Sequence, residues 1–285
     1  MKTEIHASRI ARFAQEQFSK VLLVSQGKSV TVDDVLRHLH KAGIRCYVAG
    51  GAVRDWLDGK YANDIDISLD ENIAKVKNTL MDIIPDLDLF VLDELKAFGA
   101  FKLGTSGGID IDFNILRSIS ATEGKYLYDT TFYAVDSLKD DVALRDFSFN
   151  AIYWDVPSEK LHDPTGNGIE DLFSRTIRIV THEAILASNY KTSLRIAKFL
   201  MRGFVANEET QSYLLEHIDT DISNLGCERV ANWLHCQILD KKESVDHFAN
   251  SVEPLCKTSQ AKEILKQARA SICQGAPKCR QHVTI

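Results

Sequence analysis

The stretch GIDIDFNIL, residues 108–116, constrains the fold more than any other part of the chain. Ile109, Ile111, Phe113 and Ile115 alternate with Asp110, Asp112 and Asn114. Successive side chains of a strand point to opposite faces, so this spacing predicts an apolar face beneath and an acidic face above. A helix would scatter the same residues around its circumference. A sheet with a packed layer on one side and chemistry on the other is therefore required.

A second strand repeats the pattern. In DIDISLD, residues 64–70, Asp64 and Asp66 share a face. Two carboxylates converging in this way repel each other unless a cation lies between them. Hard oxygen ligands suit Mg²⁺, which keeps waters and takes further ligands from substrate phosphates. Asp112, or its same-face neighbour Asp110, joins the pair if the two strands are adjacent. Three carboxylates could hold two ions, one at an incoming hydroxyl and one at a triphosphate.

Upstream, VAGGAVRD reads as a buried strand that ends in Gly50-Gly51 and feeds a helix. Such a junction aims free N–H groups and the positive end of the helix dipole at an anion. The missing Cβ of glycine lets phosphate approach the backbone, and Arg54 lies one turn into the helix. Alone, the junction is equally a tight turn. Followed by Asp64, Asp66 and Asp112, it reads as a phosphoryl-transfer site.

The remaining pattern predicts an α+β fold, with a mixed sheet flanked by helices and then a small all-helical region. Residues 8–22 have helical spacing, and TVDDVLRHLHKAG has Thr31 as N-cap and Gly43 beyond its end. From about residue 182 the pattern is helical, and LHDPTGNGIEDL before it reads as a turn-rich connector. The predicted units are a head at 1–175, a helical domain at 176–275 and a tail at 276–285. Cys46, Trp154 and Trp233 read as packing residues and His162 as a turn residue. Lys191, Lys198 and Arg202 read as a solvated helix face.

Net charge is −6, with 34 basic and 40 acidic residues. That is not the broad basic balance of a protein that grips nucleic acid chiefly through phosphates. No stretch approaches the ~20 apolar residues of a membrane span, and the N-terminus lacks the apolar core of a signal peptide. The six cysteines show no C-x-x-C pair. This spacing fits reduced thiols in a cytoplasm rather than a zinc site or disulfide framework.

In order, these segments resemble the class II tRNA nucleotidyltransferases (CCA-adding enzymes) and bacterial poly(A) polymerases, within the polymerase-β-like superfamily. The G-G-x-V-R-D motif is Gly50-Gly51-Ala52-Val53-Arg54-Asp55, and the D-x-D strand carries Asp64 and Asp66. An acidic residue five before an arginine selects Asp112 before Arg117 over Asp110. R-R-D-F-T-x-N-A appears as Leu144-Arg145-Asp146-Phe147-Ser148-Phe149-Asn150-Ala151. A D-P-x-G-x-x-D-L element matches Asp163-Pro164 through Asp171-Leu172, then Ile177–Val180 and a helix from Leu194-Arg195 to Gly203-Phe204. The likeness covers about residues 40–205.

The resemblance implies a polymerase-β-like head and transfer of a nucleoside monophosphate from an NTP, ATP or CTP, to an RNA 3′ hydroxyl, with tRNA as acceptor. It implies Mg²⁺ in a two-metal site on Asp64, Asp66 and Asp112, which are also the catalytic residues. It implies nucleotide contacts from Gly50, Gly51, Arg54, Arg145, Asp146, Asn150 and Arg195. Two departures stand out. Leu144 replaces the first arginine of R-R-D, and Ser188 to Thr192 replace the E-D-x-x-R base template. The second leaves the base unassigned and opens two alternatives: a protein or small-molecule acceptor, or a non-catalytic nucleotide-binding relative.

Overall fold

Backbone pairing sets the two acidic strands side by side at the centre of a seven-stranded sheet. This computed structural model describes residues 2–95, 99–104, 110–120, 131–181, 185, 190–240 and 243–273. Ile109, Ser188, Asn189 and the tail at 276–285 lie outside the described residues, and so does the side chain of Asp110.

The chain opens with α1 (Lys2–Phe18), the hairpin β1 (Val21–Ser25) and β2 (Lys28–Thr31), and α2 (Val32–Lys41). The helix predicted through residue 22 stops at Phe18, because VLLVS pairs with KSVT across a turn at Gln26 and Gly27, both at positive φ. Thr31 caps α2 in a capping box with Asp34, as its spacing predicts.

The sheet strands follow: β3 (Cys46–Ala49), β4 (Asp64–Leu69), β5 (Val91–Leu95), β6 (Ala100–Leu103) and β7 (Asp110–Ile115). Helices α3 (Gly51–Leu57) and α4 (Ile73–Leu80) are inserted between them. A separate hairpin, β8 (Arg117–Ser120) with β9 (Thr131–Ala134), and the short α5 (Leu138–Asp141) come next. Then β10 (Tyr153–Asp155) and β11 (Lys160–His162) return to the sheet, whose order is β11-β10-β3-β4-β7-β6-β5. Neighbours are antiparallel except β4 and β7, which are parallel. Ile65, Ile67, Ile111 and Phe113 are fully buried on the packed face.

The predicted connector is more ordered than its composition suggests. His162 closes β11, and α6 (Gly168–Ser174) follows. Asp163 makes that helix start by accepting the N–H of Gly168 at 3.2 Å and of Ile169 at 3.1 Å.

Beyond it, β12 (Thr176–Ile177) pairs in parallel with β13 (Val205–Ala206), which follows α7 (Thr192–Met201). The rest is helical: α8 (Glu208–Leu234), broken at Gly226 with φ +71°, then α9 (Val245–Val252) and α10 (Ser259–Cys273). Phe147 and Phe149 pack edge-on or tilted against Phe199 and Phe204, so α7 shares the head's hydrophobic core. Trp154, Trp233 and Cys46 are buried, as predicted. Cys46, Cys227 and Cys256 are free thiols, but Cys236 is disulfide-bonded, against the expectation of reduced thiols. Spacing along the chain does not reveal a pairing made by folding. Among the described residues no helix is long and apolar enough to cross a membrane.

One buried amide orients the segment between the glycine turn and β4. Gln17, 1% exposed, accepts from Trp56 Nε1 at 2.5 Å and from the Ala62 N–H at 3.0 Å. It donates to the Ala62 carbonyl at 2.8 Å. Replacing it by leucine strands all three groups out of water. Gln17→Leu is expected to lower unfolding stability by on the order of 3 kcal/mol in urea titrations; a change below about 1 kcal/mol would refute this account of Gln17.

Candidate active site

Register decides which side chains meet. Ala49 faces Asp66, Asp66 faces Asp112, and Asp112 faces Lys102, in one row across β3, β4, β7 and β6. Asp64 is in register with Asp110 in the next row. Directly opposed side chains share a face, and like charges in that position repel. Burial, then the charges of Asp64 and Asp112, push the Asp66 carboxyl up to about 7, against the opposing pull of Arg145 and Lys102. Asp64 is exposed at the end of β4, while Asp66 and Asp112 are half-buried. The sequence-predicted triad is thus brought together by the parallel pairing.

The glycine turn abuts this triad. Gly50 has φ +68°, a conformation that disfavours side chains, and a Cβ there would lie 3.0 Å from Asp66 Oδ2. Gly51 begins α3, and a Cβ on it would sit 3.5 Å from Arg54 Nη2. Gly50 thus brings bare backbone against Asp66, and Gly51 brings it against Arg54.

Polar contacts then run outward from the turn. Arg54 Nη1 donates to Asn150 Oδ1 at 2.8 Å, and Asn150 Nδ2 donates to Asp146 Oδ1 at 3.0 Å. Arg195 on α7 donates to Asp146 Oδ2 from Nε at 2.8 Å and from Nη2 at 2.6 Å. Burial raises the Asp146 carboxyl pKa, but the Arg195 charge and the bonds from Asn150 and Arg195 outweigh it, and the net shift is downward. Arg145 turns the other way. Its Nη2 donates to Asp141 Oδ2 and Ser68 Oγ, both at 2.9 Å, and its Nε donates to Tyr153 Oη at 3.1 Å. It lies beside the carboxylate row, not among the groups joined through Asp146.

The helix face predicted to be solvated is partly closed. Lys198 is 7% exposed, and its Nζ donates to Gln237 Oε1 at 2.9 Å. Gln237 belongs to a π-helical turn, His235–Leu239. Burial first, then Arg195, Arg202 and Arg54, drive the Lys198 pKa well below its usual value. Arg54, Lys198 and Arg202 all stand over the Phe199 ring, within 5.5 Å of its centroid. Arg202 pairs with Glu243 at 2.7 Å. Lys191 is half-buried, and burial followed by Arg195 and Arg229 lowers its pKa. Helical periodicity placed these cations on one side of α7 without showing that the segment around Gln237 covers it.

Lys102 was not singled out from sequence. The signal is a lysine inside the otherwise apolar strand AFKL, but only the register with β7 shows that it meets Asp112.

Among the described residues no three Asp, Glu, His or Cys side chains are grouped to hold an ion by themselves. Mg²⁺ commonly takes one or two carboxylates and completes its shell from water and phosphates. Asp64 and Asp66 beside the turn at Gly50 fit that mode, and a cation would relieve their mutual repulsion.

Residues 46–178 match the family described as "Poly A polymerase head domain". The chain is 29% identical over 175 residues to the CC-adding tRNA nucleotidyltransferase of Shouchella clausii, covering 61% of this chain and 39% of that protein. It is 30% identical over 152 residues to poly(A) polymerase I of Salmonella typhi, covering 51% and 31%. The chain therefore spans well under half the length of these two relatives. Among solved structures, a CCA-adding enzyme in an apo form superposes with a TM-score of 0.57 at 18% identity, over 93% of this chain and 55% of that one.

The Lys198 environment carries a stability consequence. Its folded-state pKa lies below its unfolded value near 10.5. The folded protein therefore bears a deficit that is full below the folded pKa and vanishes as pH rises through 10.5. Lys198→Met is expected to stabilise the fold by about 1 kcal/mol at neutral pH, with the gain fading toward pH 10.5. A thermal-melting series against pH checks this, and a lower midpoint at pH 7 would overturn it.

Proposed function

We propose that the chain, whose residues 46–178 match the family described as "Poly A polymerase head domain", transfers a nucleoside monophosphate from an NTP to an RNA 3′ hydroxyl, with tRNA as the favoured acceptor. The observation that carries this reading is the register of Asp66 with Asp112, with the bare Gly50 backbone against Asp66. A sheet-centred carboxylate pair beside a backbone anion cradle suits a triphosphate better than an uncharged substrate.

In this reading Gly50 and Gly51 present backbone N–H groups to the triphosphate, and Arg54 adds charge. Asp146, Asn150 and Arg195 form the joined polar surface that positions the sugar. Arg145 holds Ser68 and Asp141, and so fixes β4 relative to the segment bearing Asp146. Asp64 and Asp66 would hold Mg²⁺, which when bound would neutralise charge on the triphosphate. The acceptor hydroxyl oxygen forms a bond to that phosphorus, the bond to the bridging oxygen breaks, and pyrophosphate leaves. The hydroxyl proton moves toward Asp112. A two-ion site requires Asp112 as a shared ligand, and Lys102 stands at its side. The residues that select the base are not assigned: Thr192, at the template's last position, is buried at the start of α7.

Incubation with each α-³²P-labelled NTP, Mg²⁺ and total RNA, with a parallel lysate arm, tests the proposal. Labelled RNA is expected, abolished by EDTA. Asp66→Asn should reduce labelling by at least about a thousand-fold with an unchanged circular-dichroism spectrum. Labelled protein with unlabelled RNA would move the acceptor to protein. Absence of label in every fraction would refute nucleotidyl transfer.

A further inference from the structure

Three adjacent strands carry Asp66, Asp112 and Lys102 in one row, and the lysine is 9% exposed. Its Nζ lies 3.7 Å from Asp112 Oδ1. It enters from β6, whose Phe101 and Leu103 are buried in the apolar layer, so the ammonium is anchored by packing on both sides of its strand position. The acidic face therefore has two halves. On one side the carboxylates of Asp64 and Asp66 repel each other beside the glycine turn. On the other, Asp112 already faces a cation supplied by the chain.

We propose that Lys102 is a positioning residue that takes the place of a second divalent ion, so that the nucleotide-loaded site holds one ion, on Asp64 and Asp66. The inference rests on the nucleotidyl-transfer reading above and deepens it. An ion ligated by Asp112 would sit beside a buried like charge, where water screens little and repulsion is strong. The ammonium also supplies, without exchange, part of what a second ion offers: a fixed positive charge beside the Asp112 carboxylate that holds it in place. No His, Cys or third carboxylate grouping among the described residues offers that ion an alternative home.

Counting ions tests the proposal with a readout independent of turnover. The full chain is saturated with an α,β-methylene NTP analogue, and bound Mn²⁺ is counted by electron paramagnetic resonance of the free ion. One ion per nucleotide-bound chain is expected for the wild type, two for Lys102→Met, and one for Lys102→Arg, which keeps the charge. Thermal melting confirms that each variant is folded, and Lys102→Gln replaces the methionine variant should that one not fold. Two ions in the wild type would overturn the proposal while leaving nucleotidyl transfer intact. So would a single ion in the uncharged variant, or loss of its nucleotide binding, because the ion on Asp64 and Asp66 is independent of Lys102. A wild type that binds neither analogue nor ion would instead bring down the nucleotidyl-transfer reading beneath it.

Discussion

The parallel pairing of β4 with β7 is the constraint to which the rest of the molecule answers. It is the only parallel contact in the seven-stranded sheet, and it sets Asp66 directly against Asp112. Like charges in that relation oppose sheet formation. The pairing survives because the opposite face is wholly apolar: Ile65, Ile67, Ile111 and Phe113 bury their side chains, each contributing roughly 1.5–3 kcal/mol. The acidic face is thus stabilised from below, and its repulsion is relieved from the sides by Arg145 and Lys102.

A second layer of organisation joins the head to α7. Asp146 accepts two bonds from Arg195 and two from Asn150, which itself binds Arg54 beside the glycine turn. A carboxylate with this many charge-assisted partners is strongly held. Its neighbours Phe147 and Phe149 pack on Phe199 of the same helix. Polar and apolar contacts therefore fix α7 at one place, and a shift of that helix would disturb the turn at Gly50 through a short chain of hydrogen bonds.

The elements legible in the sequence are those whose signal is local. Strict alternation located β4 and β7, the Thr31–Asp34 capping box located α2, and the glycine pair located the start of α3. The ordered motifs then joined Asp64, Asp66 and Asp112, which no local pattern could do. What escaped is what depends on register or on a covering segment. Lys102 looks like an irregular lysine in AFKL until β6 is aligned with β7. Lys198 looks solvated until the π-helical turn bearing Gln237 is placed over it. The β1–β2 hairpin escaped because Val21 also satisfies helical spacing from α1, and one shared apolar residue fits either period.

These features together give the site a common energetic character. The opposed carboxylates and a buried lysine whose partner is a neutral amide each oppose folding. Neither improves packing, and both involve charge that a ligand can neutralise. A divalent cation would relieve the carboxylates, and an anionic group would relieve the buried Lys198. A ligand that carries both charges, as a metal–triphosphate does, would relieve both sides together, and its binding free energy would include the repulsion it removes. Uncompensated charge of this kind is commonly found where a ligand completes a site, and less often in a sheet stabilised only by its own packing.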